Sequence, residues 1–242
     1  VDVIIGVGEV ALSDHRSSQP TLDELVKLAG EAHVGGLMSG KAGVAHLHLG
    51  DGPRGLGLVR RALDLREIPA RVFNPTHINR NKALFDEALA LAERGCTVDI
   101  TAFPVADGED AWAADTALLR YLDAGLPPER VTISSDAGGC LPTFDAEGRI
   151  AHFGVGSPGA LAGTLKSLLC DGQALERVVP AFTSNVARLL RLPRKGRIAA
   201  GADADLVVLT STGDLSDVMA MGRWHVRAGR AAMHGTFEQV SA

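Results

Sequence analysis

Val131-Thr132-Ile133-Ser134-Ser135-Asp136-Ala137-Gly138-Gly139 reads as a short buried strand that stops at an acid and a small-residue loop. Val131, Thr132 and Ile133 are β-branched, which suits a pleated, packed surface. In a parallel α/β protein the loop beyond a strand's carboxyl end is where ligands sit. Asp136 therefore either caps a turn, as Asp before small residues often does, or stands where a catalytic or metal-binding carboxylate belongs.

The sequence leading up to this strand repeats one pattern. Residues 2–12 form an extended segment that carries Glu9, and residues 13–18 are polar and loop-like. Thr21-Leu22-Asp23-Glu24 is a capping box that opens a helix, which Gly35-Gly36 is expected to end or interrupt. Residues 43–49 form a second strand, in which His46 and His48, two apart, share a face. A helix near 56–65, a strand near 70–74, a helix over about 82–94, a strand at 97–101 and a helix near 110–124 complete the series.

Strand and helix thus alternate five times, which implies a parallel sheet with helical crossovers. Such a set fits either an open doubly wound sheet or the later portion of an eight-stranded barrel. After Gly139 a long loop through Pro142, Asp145, Gly148, His152, Gly154, Gly156 and Pro158 is expected, then helical sequence over about 159–191, broken near Asp171-Gly172. From Lys195 the character changes to short β runs between turn signals, with a strand pair turning near Gly229. The expected division is a partial (β/α) barrel over 1–194 and a small β appendage over 195–242.

Composition narrows the function. The 242 residues are 46% hydrophobic, enough for a sizeable core. The formal net charge is −5 with no Lys/Arg block, which argues against nucleic acid or an anionic membrane surface as the main partner. No apolar run approaches the length of a membrane span. Cys96, Cys140 and Cys170 are odd in number and widely spaced, so a reducing cytoplasm fits better than a disulfide framework. The chain opens on Val1 in strand-like sequence, as expected of a fragment or of the carboxyl-terminal piece of a cleaved protein.

The ends of the strands hold Glu9, His15, Arg16, His48, His77, Arg80, Asp99 and Asp136, and in a parallel fold these ends converge on one face. Imidazoles with carboxylates suit Zn²⁺ or a similar borderline metal. Arg16 and Arg80 would grip carboxylates if they face the cleft, and are surface arginines otherwise. Asp99 lies within its strand and reads as structural. His33, His152, His225 and His234 read as unremarkable. No Gly-x-Gly-x-x-Gly, Walker loop or Gly-x-Ser-x-Gly elbow is present.

Taken in order, Ser13-Asp14-His15-Arg16-Ser17, His48-Leu49-Gly50-Asp51, Pro75-Thr76-His77-Ile78-Asn79-Arg80-Asn81 and Ser134-Ser135-Asp136 resemble the isoaspartyl (β-aspartyl) dipeptidases of the amidohydrolase superfamily. Residues 195–209 resemble that superfamily's β-sandwich return segment, and Gly235-Thr236-Phe237-Glu238 resembles the family's chain end.

The resemblance implies a TIM-type barrel with two zinc ions and a metal-bridging hydroxide that attacks the side-chain amide of an isoaspartyl dipeptide. It assigns His48 and His77 to one zinc and Asp136 to the other, with Asp136 also the proton shuttle. Glu9 stands where the family carries a bridging carboxylated lysine. Arg16 and Arg80 would bind substrate carboxylates, and Cys140 replaces a substrate-contacting serine. The family's first barrel strands, with their His-x-His pair, acidic loop and polarising Tyr, have no counterpart here, and Glu9, His48, His77 and Asp136 alone are few ligands for two zincs. A missing amino-terminal segment or a second chain is therefore expected to complete the barrel, within a homo-oligomer. The competing expectations are another amidohydrolase, such as a cyclic-amide hydrolase or an N-acyl amino acid deacylase, and a degenerate, non-catalytic relative.

Overall fold

In the computed structural model, which describes residues 3–144, 147 and 149–236, the strand–helix alternation is present from the start. It runs β1 (Gly6–Leu12), α1 (Leu22–Ser39), β2 (Val44–Leu49), α2 (Gly57–Leu65), β3 (Phe73–Thr76), α3 (Lys82–Glu93), β4 (Val98–Thr101), α4 (Ala114–Asp123) and β5 (Val131–Ser134). Asp2, Asp145, Gly148, Phe237 and Glu238, each part of a stretch read above, lie outside the described residues.

The strands lie side by side in chain order. β1 pairs in parallel with β2, β2 with β3, and β4 with β5. A doubly wound sheet would reverse its order at a switch point; strict succession is the arrangement of a barrel wall. The wall does not close among the described residues, because β1 and β5 each have a ladder partner on one side alone. Five parallel strands cannot satisfy the strand number and stagger that close an eight-stranded barrel.

The helices cover the outside of this arc. In α1 the buried residues are Leu25, Ala29, Ala32 and Gly36, one stripe at helical spacing. The Thr21 capping box is present in both directions, with Thr21 accepting from the Glu24 amide and Glu24 accepting from the Thr21 amide. Gly35-Gly36 does not stop the helix, which continues to a left-handed Gly40. Gly36 instead lets the helix approach the next loop, since a Cβ there would lie 2.6 Å from the Cα of Gly43. In α3 the buried set Leu84, Phe85, Ala88, Leu91 and Ala92 packs on the same core as Phe73, Val98 and Ile100.

Between β3 and β4 there is no ladder, and Pro75 in β3 has no N–H to give. Side chains span the gap. The Asn74 amide donates to the Thr97 carbonyl at 2.7 Å, and Asn79 both donates to the Thr101 carbonyl and accepts from the Thr101 amide, at 3.0 and 2.9 Å.

Two expectations are corrected in the second half. The segment after Gly139 is an antiparallel hairpin, β6 (Cys140–Phe144) with β7 (Ile150–Val155), rather than an irregular loop. The helical stretch breaks after α5 (Gly159–Cys170) at Asp171-Gly172, as expected, but it divides again, into α6 (Leu175–Val178) and α7 (Ser184–Leu189), with a 3-10 turn at Val179–Phe182. Beyond it, β8 (Leu206–Leu209), β9 (Leu215–Ala220), β10 (Arg223–Arg227) and β11 (Arg230–Ala231) form one antiparallel sheet, in spatial order β11-β10-β9-β8. Among the described residues the appendage is this single sheet.

Candidate active site

At the carboxyl ends of the strands a cleft of about 1320 Å³ gathers Glu9, Arg16, His48, His77, Arg80, Asp136 and Cys140. Of the strand-end candidates, His15 and Asp99 do not line it, whereas His152, which reads as unremarkable in the sequence, does. A second cavity of about 960 Å³, lined by Thr97, Arg130 and Asn185 among others, lies at the opposite ends of the strands and holds none of these residues.

The backbone presents these groups under constraint. Glu9, His77 and Asp136 all have positive φ, at 61°, 61° and 48°. Non-glycine residues occupy that region at a cost of roughly 1–3 kcal/mol each and cluster at functional sites. Glu9 lies where the β1–β2 register shifts between Val7 and Val10, a bulge that turns its side chain outward. Its carboxylate Oε1 stands 3.5 Å from Nε2 of His48, on the adjacent strand. Glu9 therefore faces His48 rather than Arg16.

His48 and His77 meet at 3.1 Å, Nδ1 to Nε2, and Nδ1 of His77 reaches the Thr101 hydroxyl at 2.8 Å. His46 packs edge-on against His48 and pairs with the Asn74 side chain at 2.6 Å, so it belongs to the wall rather than the cleft. Burial, then repulsion from His48 and the nearby arginines, pushes His77 down to about 3. Burial likewise lowers His48, with the charge of Glu9 opposing. Both rings are thus neutral at pH 7, the form that offers a lone pair to a metal.

Each arginine is held by an acid that the sequence reading did not assign. Arg16 grips Asp14 through Nε and Nη2 at 3.0 and 2.7 Å, which lowers the Asp14 carboxyl to about 2. Arg80 grips Asp51 through Nε and Nη2 at 3.0 and 2.9 Å and donates to the Leu49 carbonyl at 2.8 Å. The loops themselves are fastened, because Ser13 donates to the Gly52 carbonyl at 2.6 Å and accepts from the Gly55 amide at 2.9 Å. Gly50 permits this closeness, as a Cβ there would lie 2.4 Å from the Cβ of Asp14. A guanidinium has five N–H donors. These bonds leave donors on both arginines for another carboxylate, with the forks already oriented.

Asp136 ends β5 in a glycine cradle. Its carbonyl accepts from the Gly139 amide at 2.9 Å, and Gly138 and Gly139 bond back to Gly156 at the far end of the hairpin. A Cβ on Gly156 would lie 2.1 Å from the Asp136 carbonyl oxygen. The hairpin therefore closes one side of the cleft and fixes where Asp136 stands. Cys140, the first residue of β6, is exposed.

The donor set fits a borderline divalent cation in kind but not in number. Nε2 of His48 is buried with no hydrogen-bond partner and is turned toward Glu9. An orphaned imidazole nitrogen beside a carboxylate is what a metal position looks like without its metal. Yet among the described residues no group of three or more His, Cys, Asp or Glu is arranged to hold an ion. The four expected ligands share one cleft without closing to coordination geometry, since the two histidines are spent partly on each other.

Five parallel strands in chain order bring histidines, acids and fixed arginines to one rim. The chain belongs to the Amidohydrolase family, which matches residues 45–225. The chain is similar to the β-aspartyl dipeptidase of the thermophilic, keratin-degrading Fervidobacterium islandicum AW-1. In the crystal structure of that enzyme with a β-Asp-Leu dipeptide, 38% of aligned residues are identical and the TM-score is 0.89. The match covers 98% of this chain and 62% of that one, so this chain spans less than two thirds of its relative's length. A second structure of the same enzyme gives 36% and 0.85, over 98% and 60%. The N-acetylglucosamine-6-phosphate deacetylase of Pasteurella multocida, at 13% identity and TM-score 0.57 over 93% of this chain and 57% of that one, shares the fold alone.

Proposed function

We propose that this chain supplies the carboxyl-terminal part of a zinc-dependent dipeptidase that cleaves the β-aspartyl bond of dipeptides. The observation that carries the reading is the pair of acid-anchored arginines facing Glu9, His48, His77 and Asp136 across one cleft. A β-aspartyl dipeptide carries two carboxylates, one beside the aspartyl amine and one at its end. Two preoriented guanidinium forks answer that spacing of charge better than they answer a cyclic amide or an N-acyl amino acid. The Fervidobacterium relatives support the same substrate class.

Zinc, when bound, supplies Lewis-acid polarisation and lowers the pKa of water. His48, His77, Glu9 and Asp136 would hold it, with the remaining ligands coming from residues outside this chain. The chain's own residues do the rest. Arg16 and Arg80 bind and orient the substrate carboxylates. Asp136, at the end of β5, takes the proton from the attacking water and passes it to the leaving amine. Cys140 contacts the substrate next to Asp136. The free edges of β1 and β5 are completed by a further segment or a second chain, in a homo-oligomer. Three unpaired thiols suit a reducing cytoplasm, and no helix among the described residues is long and apolar enough to cross a membrane.

The test is Asp136→Asn. It keeps the shape of the side chain and removes the proton acceptor, so turnover should fall by roughly 10²–10⁴-fold with the fold intact. Turnover near that of the wild type would remove Asp136 from its assigned role.

A further inference from the structure

Asp99 lies in the middle of β4 and is 3% exposed. A buried carboxylate is ordinarily paired with a cation, because its desolvation is costly. No ion pair to Asp99 occurs among the described residues; hydroxyl groups take that place. Thr132 donates to Oδ1 at 2.6 Å, and Thr76 and Ser134 donate to Oδ2 at 2.6 Å each.

These hydroxyls come from both neighbouring strands. Thr76 is on β3, immediately before His77. Thr132 and Ser134 are on β5, and Ser134 precedes Asp136 by two residues. The β3–β4 seam is also the place in the wall that lacks a backbone ladder. Thr101, on β4 two residues beyond Asp99, continues the network, with its hydroxyl 3.4 Å from that of Thr76 and 2.8 Å from Nδ1 of His77.

We propose that Asp99 is a positioning residue: its carboxylate ties the strand that carries His77 to the strand that carries Asp136, and so sets the separation of two groups on opposite sides of the metal position. This rests on the metal reading given above. A short neutral side chain could not accept three hydroxyl bonds at once, which is the physical reason for a charge in this place.

The experiment uses the purified full-length protein, with the segment that completes the barrel, and Co²⁺, whose visible absorption reports both occupancy and ligand geometry. Asp99→Asn keeps the volume and removes the charge. The expected result is Co²⁺ binding roughly 10–100-fold weaker, with an altered absorption band, in a protein whose circular dichroism is unchanged. Thr132→Val removes the one donor to Oδ1 and should weaken binding less, in the same direction. Thr132→Ser keeps the hydroxyl and should restore wild-type affinity. A folded Asp99→Asn protein with wild-type affinity and spectrum overturns the proposal. If Asp99→Asn does not fold, Thr132→Val decides, and unchanged binding there overturns it. Wild-type protein that binds no Co²⁺ would instead overturn the metal reading, a result visible before any variant is made.

Discussion

A Cβ placed on Gly139 would lie 2.5 Å from Oδ1 of Asp136 and 2.7 Å from Oδ2. The glycine is there to leave room for the carboxylate, since its φ is not in the left-handed region and no backbone strain demands it. Gly139→Ala should therefore push the Asp136 side chain from its position without breaking the turn. Misplacement of a reacting group by about 1 Å can cost on the order of 100-fold in rate. The expectation is at least a tenfold fall in kcat with thermal stability nearly unchanged. Wild-type kcat in this variant would show that the position of Asp136 is not critical.

The Asp14–Arg16 pair gives a pH-dependent contribution to stability. Arg16 holds the Asp14 carboxyl at about 2, below its ordinary 3.8. A depressed carboxylate contributes stability above its unfolded pKa and loses it as pH falls through the folded value. The contribution should thus be complete above about pH 5 and fade toward pH 2. Arg16 is about half exposed, so screening reduces it to about 1 kcal/mol. Urea unfolding of wild type and Asp14→Asn should differ by that amount at pH 7, narrow as pH falls below 4 and converge only near pH 2. A gap that widens on acidification would contradict the pairing. KM should also rise in Asp14→Asn, because Arg16 loses its orienting partner.

The three thiols should separate by reactivity. Cys140 and Cys170 are exposed, whereas Cys96 is buried in the core and burial pushes its thiol up to about 12. An aromatic disulfide reagent at pH 8 should titrate two thiols per chain in the native protein and the third only after unfolding. Prompt reaction of all three would mean that the core around Cys96 opens readily.

Much of the frame was legible because local chemistry and tertiary fold agree in it. The β-branched run at 131–133 and the capping box at Thr21 each specify an element without outside help. The failures are places where contact across the chain decides. Gly35-Gly36 reads locally as a stop, yet the helix passes through because Gly36 packs on Gly43. The hairpin after Gly139 reads as a loop because Pro142, Gly154 and Gly156 punctuate it; its pairing depends on bonds between Gly138, Gly139 and Gly156.

The same division holds at the site. Strand ends point to one rim, so Glu9, His48, His77 and Asp136 could be grouped from topology alone. Asp51 could not be assigned as an anchor, since its pairing with Arg80 joins two loops that are 29 residues apart in the chain. Asp14 stands two residues before Arg16, and that spacing was the one available hint. Asp99 was read as structural from its place inside β4, and its hydroxyl partners bear this out while giving it a further part to play.

The central claim is that two anchored arginines and one carboxylate select and cleave a β-linked aspartyl dipeptide. The most direct measurement is hydrolysis of β-Asp-Leu beside α-Asp-Leu by the purified full-length protein, loaded with zinc and again after treatment with a chelator. The account predicts cleavage of the β-linked dipeptide alone, lost with the metal and restored by adding it back. Zinc-loaded protein that leaves β-Asp-Leu intact, or cleaves both dipeptides equally, would contradict it.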